Sequence, residues 1–112
     1  MFIVFDLEWN QSADGKDGTV PGLPFEIIEI GAVKLNDKLE IVDEFTRLIK
    51  PVVYPRLHFR ILEIVNIDID ELNSKGQPFA EAFSDFLDFC GDDPVFCTWG
   101  ESDLTHLQRN VA

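Results

Sequence analysis

Four apolar residues, Phe2-Ile3-Val4-Phe5, run without a break into Asp6-Leu7-Glu8. A run this short predicts a strand over Phe2 to Glu8, buried on both faces. Side chains at i and i+2 of a strand share a face, so Asp6 and Glu8 lie side by side. Adjacent carboxylates repel each other, and a cation between them removes the repulsion. Their hard oxygens suit Mg²⁺ or Mn²⁺.

The rest of the chain supplies a sheet and helices around that strand. Residues 9 to 24 are polar and carry Gly15, Gly18, Pro21, Gly22 and Pro24, which predicts a long surface loop. A second strand is expected over Ile27 to Leu35 and a third over Leu39 to Ile49. The turn signal Asn36-Asp37 between them makes the two an antiparallel hairpin. Leu57, Ile61, Ile64 and Val65 fit a short helix, and the polar stretch Asp68 to Gly76 reads as a loop. Pro78, at a first helical position, opens a second helix with Phe79, Phe83, Phe86, Leu87 and Cys90 on one stripe. Gly91 stops it. Val95-Phe96-Cys97 is a fourth strand, broken at Gly100, and a third helix begins near Glu101 or Ser102 with Leu104, Leu107 and Val111 on one side. Helical crossovers let the fourth strand lie parallel to the first. The carboxyl end of strand one and the start of the last helix then meet at one edge of the sheet, where open α/β sheets build their sites.

Composition narrows the partners. The 112 residues suffice for one small domain, and 46% apolar content with ten Phe can build a core. The net charge of −12 excludes a protein that grips nucleic acid along its length through basic residues. A polynucleotide substrate would be held locally, at a strand end, with divalent ions screening the phosphates. Cys90 and Cys97 sit in apolar surroundings and read as reduced, buried thiols of a cytoplasmic protein. No signal peptide or membrane span is expected.

Asp103 falls in the first turn of the last helix, just after the fourth strand. A first-turn acid is favoured by the helix dipole wherever it occurs. At this place in the topology it also faces Asp6 and Glu8 across the cleft, and three acids converging from two elements predict a metal site.

These residues resemble the DEDDh, or DnaQ-like, 3′-to-5′ exonucleases of the ribonuclease H-like superfamily. Phe5-Asp6-Leu7-Glu8 is similar to their first motif. The segment Glu26 to Val33 resembles their second strand, and Leu48-Ile49-Lys50-Pro51 the end of their third. Thr98 to Asp103, followed by Leu107 and Asn110, resembles their second motif. The resemblance runs from residue 2 to about residue 111, and its first loop and second strand look most like the branch that trims RNA 3′ ends. It implies a ribonuclease H-like mixed sheet, three antiparallel strands plus a parallel fourth, with helices, incomplete at the C-terminus. It implies two-metal phosphodiester hydrolysis with Mg²⁺ or Mn²⁺, the ions roughly 3.5–4 Å apart. Asp6 would bridge both ions, Glu8 would hold the one presenting water, and Asp103 the second. Leu7 and Trp9 would border the substrate, a single-stranded RNA or DNA 3′ end.

The family's third motif, His-x-x-x-x-Asp, supplies the general base and a fourth ligand. Neither His106, with Val111 five places on, nor His58, with Glu63, provides it in the right order. Residues 1–112 are therefore expected to be the N-terminal part of one exonuclease domain, inactive by themselves. Their fourth strand would be an exposed edge through which copies self-associate. Alternative readings are a non-catalytic module binding nucleic acid or protein on the same fold, and an endonuclease of the wider superfamily. Trp99 is expected in the core, and Glu29 as a structural acid on a helix-covered face or at a sheet edge.

Overall fold

Strand β1 (Phe2–Asn10) lies inside a four-stranded sheet, between β2 (Glu26–Leu35) and β4 (Val95–Cys97), with β3 (Ile41–Leu48) beyond β2. A computed structural model describes residues 1–11, 25–54, 57, 69–98 and 102–111, the side chains of 102–106 excepted. Of the loop expected over 9–24, Trp9 and Asn10 instead extend β1; residues 12–24, the helix around Ile61, and His58, Trp99 and Glu101 fall outside the described residues. Strands β1, β2 and β3 are antiparallel neighbours, and β4 runs parallel to β1 from Phe2↔Val95 to Val4↔Cys97. This is the expected mixed sheet.

Strand β1 alternates instead of being buried on both faces. Ile3, Phe5 and Leu7 are buried, whereas Asp6 is exposed and Val4 and Glu8 are half-buried. A helix covers the first set; among the described residues, no core cluster includes Val4, Asp6 or Glu8. That helix is α2 (Phe79–Cys90), which follows α1 (Ile69–Lys75) and precedes α3 (Ser102–Val111). Ala82, Phe86 and Cys90 of α2 pack against Ile3, Phe5, Ile30 and Phe45. The Phe86 ring sits 5.9 Å from that of Phe5 and 5.7 Å from that of Phe45. Burying one such ring stabilises by about 1.5–3 kcal/mol. Both cysteines are free thiols, Cys90 buried and Cys97 half-buried.

Pro78 is one place further out than expected. Its ψ of 143° is extended, so it precedes the helix, and its carbonyl accepts from the N–H groups of Glu81 and Ala82. Gly91, at φ 70°, ends the helix in a backbone conformation that suits glycine. In the β2–β3 turn the Asn36 side chain accepts from the N–H groups of Lys38 and Glu40, an Asx-type closure.

Two further boundaries differ from expectation. Strand β3 starts at Ile41 because Leu39, at φ 64°, is still in the turn. The stretch read as a polar loop contains α1. Leu72, fully buried against Ile28 and Leu57, holds that helix to the sheet, and Lys75 pairs with Glu71 at 3.9 Å. A bulge explains how Ile27 shares a cluster with Ile30, three residues on, while Ile28 joins the other. Glu8 pairs with Glu29 but Trp9 with Ile27, so Ile28 is the extra residue. Ile27 then joins the α2 cluster and Ile28 the α1 cluster.

Candidate active site

Asp6 and Glu8 stand on the face of β1 that α2 does not cover. Their cross-strand partners are Gly31 and Glu29. Directly opposed side chains lie about 5 Å apart and diagonal ones about 7–8 Å. Glu29 is therefore a close neighbour of Glu8 and a diagonal neighbour of Asp6. Burial pushes the Glu29 carboxyl above its ordinary value, and the charges of Asp6 and Glu71 push it further. Sequence reasoning gave Glu29 a structural place on a covered face or at an edge. The ladder puts it on an inner strand, on the same face as the Asp-x-Glu pair, because position 29 is in register with position 8. Spacing within one strand carries no signal of that pairing.

Gly31 contributes no side chain beside Asp6. A shallow trough of about 430 Å³ opens there, between Val4, Asp6, Gly31, Val33, Glu44 and Thr46. A Cβ on Gly31 would still clear the nearest atom, the Asp6 carbonyl oxygen, by 3.9 Å.

Leu7 and Trp9 turn the other way. The Leu7 side chain is 3% exposed and belongs to the α2 core, so only its backbone can face a ligand. Trp9 is half-buried on the same side, packed against that core and 6.1 Å from the Phe25 ring. The one-residue offset from Glu8 inverts the face. Asp103 is the second residue of α3, as the first-turn expectation required; its side chain, and that of His106, lie outside the described residues.

Among the described residues, no three metal-ligating side chains cluster. Asp6, Glu8 and Glu29 share a face of the sheet but do not by themselves make such a group. The donor chemistry fits a hard divalent ion, because Asp6 and Glu8 offer only oxygen ligands.

The family described as RNase_T, Exonuclease, matches residues 3–111. The chain belongs to this exonuclease family. No curated protein matches it. Among solved structures, the nuclease domain of 3′hExo, a DEDDh family member bound to rAMP, superposes with a TM-score of 0.77 at 23% identity, covering 97% of this chain and 56% of that one. Cell-death related nuclease 4 (CRN-4) gives 0.78 at 18%, covering 98% and 38%. E. coli exonuclease I in complex with a dA16 oligonucleotide gives 0.73 at 14%, covering 96% and 23%. These likenesses establish the ribonuclease H-like fold of the exonuclease domain. The chain spans little more than half of the first of these relatives and less of the others. No helix among the described residues is long and apolar enough to cross a membrane.

Proposed function

We propose that this chain is the N-terminal part of a Mg²⁺- or Mn²⁺-dependent 3′-to-5′ exonuclease domain that hydrolyses phosphodiester bonds at single-stranded RNA or DNA 3′ ends. One observation carries the reading: Asp6 and Glu8 share the open face at the carboxyl half of β1, in a chain whose family is one of exonucleases. Asp6, Glu8 and Asp103 are the residues that would hold divalent ions. Bound ions there supply positive charge for an anionic phosphate and lower the pKa of a coordinated water. The chain's own part is to fix the carboxylates. The β1–β2 ladder fixes the backbone under both, with Asp6 opposite Gly31 and Glu8 opposite Glu29.

Trp9 and the Leu7 backbone border the end of β1 and are the proposed substrate contacts. The β1–β4 ladder covers only Phe2–Val4, so Leu7 lies beyond it. Neighbouring folds with rAMP and with dA16 support a strand-end substrate of either sugar type. A net charge of −12 supports a contact confined to that end. Two free cysteines support a reducing compartment, the cytoplasm.

Residues 104–112 contain no His-x-x-x-x-Asp. The isolated 112-residue polypeptide is therefore proposed to lack a general base and to hydrolyse nucleic acid little or not at all. Calorimetric titration with Mn²⁺ tests the site itself. Saturable binding that Asp6→Ala abolishes supports the reading; identical heats from both proteins overturn it.

A further inference from the structure

Asn110 lies near the end of α3, the helix that carries Asp103. Its side-chain amide ties that helix to the entry of β2 by two hydrogen bonds. Nδ2 donates to the Phe25 carbonyl at 3.1 Å, and Oδ1 accepts from the Ile27 N–H at 3.1 Å. An amide side chain carries one acceptor and one donor group, the same pair as a peptide unit, so it can stand in for a neighbouring strand.

The residues it holds are the ones next to the candidate site. Ile27 is fully buried and pairs with Trp9, one residue past Glu8. Glu26, between the two bonded residues, is itself anchored: its carboxylate accepts from the N–H groups of Val52 and Val53 at 2.9 Å each and of Tyr54 at 3.1 Å. Leu107, one turn before Asn110, packs on the α2 core. An apolar contact allows a helix to slide, whereas two directional bonds 3.1 Å long do not. Asp103 precedes Asn110 by seven residues, which is two turns and roughly 10 Å of helix. A shift at one position is carried to the other by a rigid element.

Resting on the reading of Asp103 as a metal ligand, we propose that Asn110 is a positioning residue: its amide clamp on Phe25 and Ile27 sets the register of α3 against β2 and so places Asp103 relative to Asp6 and Glu8. Residues that orient ligands from behind typically change metal affinity by 10–100-fold when removed.

The test is a double-mutant cycle on the 112-residue chain: wild type, Asn110→Leu, Asp103→Ala and the double variant. Mn²⁺ affinity is read by calorimetry, thermal unfolding is followed in parallel, and amide exchange at Ile27 reports on the clamp. Asn110→Leu should weaken Mn²⁺ roughly 10-fold in the wild-type background and not at all beside Asp103→Ala, while lowering the melting temperature in both. Asn110→Asp keeps the acceptor for Ile27 but sets an oxygen against the Phe25 carbonyl. It should weaken Mn²⁺ in the same background-dependent way, and it replaces Asn110→Leu if that variant fails to fold. Unchanged affinity, or equal weakening in both backgrounds, overturns the proposal. Failure of the underlying reading looks different: the wild type binds no Mn²⁺, or Asp103→Ala binds as tightly as the wild type, and the positioning role falls with it.

Discussion

Glu8 and Glu29 face each other across the β1–β2 ladder, with Asp6 one diagonal step from Glu29. Strand pairing thus concentrates negative charge on a face where the sequence of β1 had already placed two acids. Folding brings these groups together and a dication would relieve them.

That arrangement fixes a pH dependence. The folded Glu29 carboxyl titrates above its ordinary value because of burial, then Asp6 and Glu71. A carboxyl that binds its proton more tightly folded than unfolded costs stability as pH rises from the ordinary carboxylate range through the raised value; above that value the cost is complete. In chelator, Glu29→Gln should therefore be more stable than wild type at neutral pH and should lose part of the decline seen on leaving acid. Denaturant midpoints across a pH series check this, and a destabilised variant at neutral pH would count against it.

Glu26, 5% exposed, caps three backbone N–H groups, those of Val52, Val53 and Tyr54. Glu26→Ala leaves those donors without their acceptor and should lower unfolding free energy by about 2–4 kcal/mol. Glu26→Gln retains one acceptor oxygen and should fall between. Urea denaturation with a common slope separates the three proteins.

Gly76, just after α1, sits where backbones meet. A Cβ there would press on the Leu72 carbonyl oxygen and approach the Lys50 nitrogen to 2.6 Å and the Ile49 carbonyl carbon to 2.8 Å. Backbone atoms cannot swing aside as a side-chain tip can. Gly76→Ala should destabilise by about 1–3 kcal/mol, and the loss should exceed that of Ser74→Ala two residues earlier, in the same melting experiment.

Among the described residues, β4 pairs on one side only, with β1, and its Val95 and Phe96 are 53% and 48% exposed. An apolar strand with an open edge is a template for pairing with another copy. The wild-type chain is expected to self-associate in sedimentation velocity, and Val95→Lys should shift it towards monomer by placing a charge on that edge. A monodisperse wild-type monomer at all concentrations would contradict the edge reading.

Much of the architecture was legible in order and period. The two-residue spacing put Asp6 and Glu8 on one face of β1, and the Asn36 turn set the β2–β3 hairpin. Of the expected stripe Phe79, Phe83, Phe86, Leu87 and Cys90, Phe86 and Cys90 are buried with Ala82, while Leu87 is exposed because the buried face is centred on 82, 86 and 90. The helix α1 was missed because Ile69 and Leu72 are too few apolar positions to show a period. Its acids in the first turn, Lys75 in the last and Gly76 beyond the end were the available signals. Trp9's place in the chain gave no sign that its half-buried ring also packs against the core cluster.

By itself, the sequence determined that Asp6 and Glu8 share one side of a strand and that the chain has the ordered segments of an exonuclease domain. Those facts depend on a two-residue repeat and on succession along the chain. Only the tertiary structure decided that Glu29 stands opposite Glu8, that Glu26 caps residues 52 to 54, and that Asn110 holds Phe25 and Ile27. Such contacts join residues as much as 85 positions apart, and they exist because register, a bulge and helix docking bring backbone donors and acceptors within bonding distance.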